Sequence, residues 1–280
     1  MKTAKHLLVA VMSFSLLFLM NSCSKDDDTP NPPPPNNVTV VKTWDIPLKS
    51  SYVVPAPTGR TDSGTARLEL MSDNSLRYTL NVTNLGADDS LSTAELRAGD
   101  VVSEGPALLD LNPTFASNAF TDTLTGLRQS LVDSLQTAPV YLTIQSLDQP
   151  EGIVRGQLDK TIDYAADLDL SGSNVVPPTT TGSTGIGSIR LTSDKTLYSN
   201  INVSNLDAGD SLTNAGLYLG AAGATGALFQ QLAAIGADFG TTKTYSLSDE
   251  LITQLKNDPM YLNVYSGLQA ANGLLRGQLR

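Results

Sequence analysis

The chain has 280 residues, 28 of them acidic against 18 basic, and carries one histidine and one cysteine. A formal net charge of −10 offers no basic face for phosphate and excludes nucleic acid as a partner. A lone cysteine likewise excludes an internal disulfide framework.

In chain order, Lys2, Lys5 and His6 precede fourteen mostly apolar residues, Leu7 to Met20, and then "NSC". A bilayer crossing needs roughly 20 apolar residues, so residues 1–22 read instead as a secretory signal. "LMNSC" resembles the lipobox of bacterial lipoproteins, with Met20 where Leu is usual. That resemblance implies diacylglycerol on the thiol of Cys23, cleavage before it and acylation of the new amino group. The alternative, a plain secretory signal with an incidental cysteine, leaves an exported thiol with no partner. Cys23 is followed by "SKDDDTPNPPPPNN", which has nothing to bury, so residues 23–39 read as a lipidated Cys and a disordered Pro-rich tether. Prolines hold such a spacer extended at about 3.1 Å per residue. Asp26 to Asp28 resemble the signal by which certain Gram-negative bacteria send lipoproteins to the cell surface. The expectation is therefore a protein lipid-anchored in the outer membrane and facing the exterior, since two or three acyl chains anchor where one does not.

Loss of residues 1–22 takes His6, Lys2 and Lys5 with it, leaving 16 basic residues against 28 acidic and a net charge near −12. Without imidazole or a free thiol, Ser-His-Asp and Cys-His catalysis, histidine-ligated metals and a histidine pH switch are all excluded. No cofactor or metal is expected.

Beyond the tether the sequence repeats at an offset of 121. Gly64 falls on Gly185, Asp89-Ser90-Leu91 on Asp210-Ser211-Leu212, and "RGQL" at Arg155–Leu158 on "RGQL" at Arg276–Leu279. Two domains, 40–159 and 162–280, follow, each long enough for its own core and joined by the short "DKTID". "LRYTLNV" alternates Leu76, Tyr78, Leu80 and Val82 with polar residues, as a half-buried strand does, and Leu197, Ile201 and Val203 repeat it. "WDIPL", "GTARLEL", "TAELRAG", "VYLTIQ" and "GIVRGQL" read as further strands. Leu127, Leu131, Val132 and Leu135 recur at helical spacing, as do Leu247, Leu251, Ile252 and Leu255, the second run with Ser246 and Asp249 placed for a capping box. The fold expected is all-β, two tandem sandwiches with one short helix each.

"SYVVPAP" and "SNVVPP", the "TNLG" and "SNLD" turns, "APVYLTIQS" and "DPMYLNVYS", and the terminal "RGQL" together resemble the chordin-type domain, CHRD, in both copies. The resemblance implies a Greek-key, immunoglobulin-like sandwich in an extracellular protein and no settled activity. Family members usually carry a His-x-His pair and a third histidine. The matching positions here are Glu95, Arg97 and Gln145 in one copy and Gly216, Tyr218 and Tyr265 in the other, and the usual Glu before Val-Pro is Val53 or Val175. None replaces imidazole at a soft metal, so the absence of zinc or copper is predicted.

Tyr218 and Tyr265, expected side by side in the second copy, are the candidate binding surface, set against the reading that they are ordinary strand-face residues. Arg155 and Arg276 are candidates for ligand binding, set against the structural reading that is preferred: paired to a carboxylate, or laid along a sheet edge with their charge in water. Asp207, Asp210 and Ser211 do not form a calcium loop, and no carboxylate pair stands out for glycoside hydrolysis. The "DSL" stretches at Asp89, Asp133 and Asp210, and "DTL" at Asp122, resemble an O-glycan acceptor, with Ser90 and Ser211 on equivalent turns. The function expected is a non-catalytic, membrane-anchored surface lipoprotein that binds an extracellular protein or glycan, its duplication raising avidity. An envelope enzyme acting through carboxylates on glycans or peptides, and a purely structural module, are the alternatives.

Overall fold

The computed structural model describes residues 37–280. Cys23, the signal segment and the tether as far as residue 36 lie outside them. The strands of the first domain are β1 (Val40–Lys49), β2 (Ser63–Met71), β3 (Leu76–Thr83), β4 (Leu91–Ala98), β5 (Ala107–Asp110), β6 (Ala119–Leu124), β7 (Val140–Ser146) and β8 (Val154–Gln157), with helix α1 (Gln129–Thr137) before β7. The second domain repeats the order as β9 (Ile162–Ser171), β10 (Thr184–Thr192), β11 (Thr196–Ser204), β12 (Leu212–Leu219), β13 (Leu228–Ala233), β14 (Lys243–Ser246), α2 (Asp249–Asn257), β15 (Met260–Ser266) and β16 (Leu275–Gln278).

Hydrogen bonding runs β5-β4-β7-β8-β1-β2-β3-β6 in the first domain and β13-β12-β15-β16-β9-β10-β11-β14 in the second. The ladder is thinnest in the middle, where β1 and β8 share the single pair Lys49↔Arg155 and β9 and β16 share Ser171↔Arg276. There the sheet doubles over. Trp44, Ile46 and Leu48 of β1 and Tyr78 and Leu80 of β3 meet Leu96 of β4 and Leu142 and Ile144 of β7 in one buried cluster. Two facing layers with Greek-key crossings from β3 to β4 and from β5 to β6 make a sandwich.

Alternation follows burial. Along β3, Leu76 to Thr83, every second residue is buried and every other one exposed, because one face meets the core and the other meets water. The edge strands β5 and β6 bury neither face fully and show no such period. Both helices begin later than the leucine spacing implies. Ser248, rather than Ser246, is the N-cap of α2 and accepts from the Leu251 amide at 3.4 Å, while Ser246 ends β14. Leu127 and Leu247 stand just before their N-caps, the position that packs back on the first turn as a hydrophobic staple, so each stripe starts ahead of its helix.

Both domains lie within one compact unit, Val38–Arg280. Tyr52, Val101 and Val102 of the first domain are buried in a small apolar cluster with Ile162 and Tyr198 of the second. The Tyr52 hydroxyl donates to the Ile162 carbonyl at 2.7 Å. At the centre is Arg190 of β10, with no exposed surface. It donates to both carboxylate oxygens of Asp167 (3.0 and 2.9 Å) and to the Val53 carbonyl across the junction (2.7 Å). Asp167 in turn accepts from the Ala56 amide at 2.8 Å, so the junction is fixed by polar geometry as well as by apolar area.

Candidate functional site

In β7 all seven residues are buried, so the face turned away from the core is covered too. Tyr141, Thr143 and Gln145 lie there, roofed by the loop after β4 and by Val53. The "RGQL" motif closes this cover. Arg155, only 2% exposed, lays its guanidinium 3.5 Å from the centre of the Tyr141 ring and donates to the carbonyls of Asp100 and Ser103 (2.9 Å to Ser103). Gly156 is required because a Cβ would stand 2.5 Å from the Pro47 carbonyl oxygen. Gln157 donates to the Gly99 carbonyl at 2.8 Å, and the Leu158 amide donates to Val140. The second copy is alike. Arg276 stacks on Tyr261 at 3.5 Å and donates to Ala224 and Ala221, and Gln278 donates to Gly220 at 3.0 Å.

These arginines are buried and bound to carbonyls, not to a carboxylate or to water as the sequence suggests. Burial, opposed only by the facing tyrosine and by distant carboxylates, pushes the Arg155 pKa down to about 10, still charged at neutral pH. Cation–π contact with Tyr141 offsets part of that desolvation.

The histidine-equivalent positions do converge on this outer face. In the first domain Arg97 donates to Glu95 at 2.7 Å, Gln145 donates to the same carboxylate at 3.4 Å, and Thr93 bonds Gln145. A cavity of about 90 Å³ opens beside Arg97, Gln145, Glu104 and Glu151. In the second domain the same face is aromatic. Tyr218 of β12 lies 6.3 Å edge-on from Tyr265 of β15, and 5.4 Å from Tyr261, whose ring it stacks on. Tyr261 went unremarked in the sequence, although Tyr261 and Tyr265, four apart on one strand, must share a face. Tyr218 and Tyr265 are half-buried and Tyr261 buried. Desolvation, with the Tyr265 hydrogen bond, raises the Tyr218 pKa well above the ordinary phenol.

Ser90 and Ser211 are exposed on the equivalent β3–β4 and β11–β12 turns. The aspartates before them have a separate duty. Asp89 accepts from Arg60 (2.8 Å) and from the Ser90 and Asp148 amides (2.8 and 3.2 Å). Asp210 accepts from the Ser211 and Leu268 amides (2.8 and 3.0 Å). Each carboxylate ties the turn after β3 or β11 to the turn after β7 or β15, which is by itself a reason for "DS" to recur. Among the described residues no group of three His, Cys, Asp or Glu side chains is placed to hold a metal ion, and no helix is long and apolar enough to cross a membrane.

The CHRD domain family matches residues 44–158 and again 167–279, most of the chain. The chain belongs to the CHRD family. No curated protein and no solved structure matches it. The two CHRD domains share the arginine latch and the aspartate clasp and differ in what they place on the face between them.

Proposed function

We propose that this tandem CHRD protein is a non-catalytic lipoprotein, acylated at Cys23, held in the outer membrane and facing the exterior, where it binds an extracellular or envelope partner. The observation that carries the reading is the tyrosine face of the second domain. Tyr218 and Tyr265 keep part of their rings in solvent above a buried third ring. Exposed aromatic side chains on a rigid sheet offer large contact area at small entropic cost. The same face of the first domain is filled by the Glu95–Arg97 ion pair, so the contact is assigned to the second domain alone. Ser90 and Ser211, exposed on equivalent turns, are the proposed O-glycan positions, and intact mass of the native protein equal to the bare acylated chain would remove them.

The test pairs two measurements on intact cells. Protease shaving is expected to degrade the protein without lysis. Crosslinking before purification is expected to yield a defined adduct that is lost in the double variant Tyr218→Ala/Tyr265→Ala and kept in the surface control Leu147→Ala. An adduct unchanged in the double variant would move the contact elsewhere, and protection from protease in intact cells would remove the surface reading.

A further inference from the structure

A groove of about 730 Å³ lies at the domain junction. Its floor is the outer face of β9, β10 and β11, contributed by Asp169, Ile186, Ser188, Asn200 and Asn202. Its wall belongs to the other domain, from Val54 and Pro55 and from Val102 to Glu104. The junction that Arg190 locks therefore also shapes the groove, and neither domain contains it alone.

What the two copies place on this face differs in a coordinated way. In the first domain the outer face of β1 to β3 is a ladder of ion pairs: Arg67 with Asp45 (2.8 Å) and Glu69 (3.1 Å), and Arg77 with Glu69. At the offset of 121, Arg67 becomes Ser188, Glu69 becomes Arg190 and Arg77 becomes Tyr198, while Thr79 and Asn81 become Asn200 and Asn202. Arg190 and Tyr198 are consumed by the junction. The remaining changes clear the groove floor of cationic side chains and furnish it with amides and hydroxyls beside Asp169.

We infer that this groove binds a neutral oligosaccharide. Asn202 donates to the Asn200 carbonyl oxygen at 3.2 Å. Among the described residues that leaves the Asn200 amide nitrogen without an acceptor and the Asn202 carbonyl oxygen without a donor. Fixed side by side, they match the donor and acceptor capacity of adjacent sugar hydroxyls. Asp169 and Glu104, both exposed and free of ion pairs among the described residues, add acceptors on either side. Val54, Pro55 and Ile186 supply apolar surface for the C–H face of a pyranose. Other ligand classes fit less well. The lining holds no free cation for a phosphate or uronate and presents two carboxylates against one. It holds no aromatic ring for a base. β10, the middle strand of the floor, is paired along its length with β9 and β11, so no peptide strand can add within the floor beneath the groove. The volume lies within the roughly 300–1,000 Å³ typical of small-molecule sites. The inference rests on neither the lipid anchor nor the tyrosine face.

The experiment is calorimetric titration of the whole mature chain with maltohexaose, cellohexaose and laminarihexaose, and with hexagalacturonic acid as the anionic counterpart. Expected are saturable binding of at least one neutral hexasaccharide, no binding of hexagalacturonic acid, and affinity weakened about tenfold in Asn200→Ala/Asn202→Ala, the scale of two lost hydrogen bonds. Both residues keep solvent contact, so the double variant should fold, and an unchanged melting curve checks that it does. Tyr218→Ala should bind as the parent does. No binding of any neutral hexasaccharide, equal binding of the anionic one, or parental affinity in the asparagine variant would each overturn the inference. Loss in Tyr218→Ala alone would place the saccharide on the tyrosine face and overturn it as well.

Discussion

Replacing Arg190 by Ala tests whether the two CHRD domains behave as one body. The side chain is wholly buried, and its five hydrogen bonds reach Asp167 twice, Ala166, Ile189 and, across the junction, Val53. Removing one member of a buried pair costs about 3–5 kcal/mol because the other charge stays behind unpaired. Two features favour the low end. The Asp167 side chain is 12% exposed, so water can reach the orphaned carboxylate, and Arg190 Nε has no partner among the described residues, so the native site is not fully compensated. About 3 kcal/mol is therefore the working figure. Because the loss falls on the junction and not on either core, it should appear as lost cooperativity. In urea the parent should unfold in one transition, and Arg190→Ala in two, each with a smaller denaturant slope, since the slope tracks the surface exposed per step. Arg190→Met with Asp167→Asn removes both charges and should recover most of the loss. A single transition of parental slope in Arg190→Ala, with less than about 1 kcal/mol lost, would refute the reasoning that this arginine couples the domains.

Gly156→Ala should destabilise the first domain by about 1–3 kcal/mol in thermal or urea unfolding, since its Cβ must push against Pro47 backbone and the β1 core residues. Ser248→Ala should cost about 0.5 kcal/mol, the low end for an N-cap given its 3.4 Å bond, and Ser246→Ala nothing measurable by the same assay. Asp89 has its pKa below the usual carboxylate value: burial would raise it, but hydrogen bonds from Ser146, Arg60 and the Asp148 and Ser90 amides prevail. A depressed folded pKa contributes stability above the unfolded value, about 3.9, that is lost as pH falls through the folded one. Asp89→Asn should accordingly be less stable than the parent at neutral pH and converge on it in acid, as read from urea midpoints across pH.

The strands that face the core were legible because burial imposes a period of two, and "LRYTLNV" shows it in every residue. Edge strands were not. "ALLD" and "AFTDTL" bury neither face fully, so no strict alternation is selected, and they are held by the hydrogen bonds of β4 and β3 together with partial packing of Leu108, Leu109, Phe120 and Leu124 on the core. The helices were legible in kind and misplaced at their starts, since Leu127 and Leu247 extend the apolar stripe beyond the first turn. The junction was hidden for a different reason. Arg190 occupies an outward position on a strand, where an arginine ordinarily reads as solvated, and only a second domain laid over it makes it buried. The available signal was the difference between copies, Glu69 becoming Arg190 and Arg77 becoming Tyr198, both at outward positions. Likewise Tyr261 repeats Tyr141 and passes for a core strand residue, although its ring serves the arginine latch and the aromatic face together.

Two tethered copies raise avidity for a repeated epitope by carrying the same site twice, and the outward positions argue against such repetition. What is duplicated is scaffold: the Arg-Gly-Gln latch, the fold-over seam and the aspartate clasp, which in the first domain alone also takes Arg60. What differs is nearly everything that faces outward, with Glu95, Arg97 and Gln145 against Gly216, Tyr218 and Tyr265, and an ion-pair ladder against a groove lined by amides, hydroxyls and two carboxylates. The copies are also not placed as equals. The first domain spends Tyr52 to Ala56 and Val101 to Glu104 on covering the second, while the ion-pair ladder on its own β1 to β3 stays in solvent. Such an asymmetric, head-to-tail contact builds a concavity that one sandwich cannot form, because the outer face of a lone twisted sheet has no walls. Duplication here is therefore better explained by the construction of that shape than by repetition of a binding event.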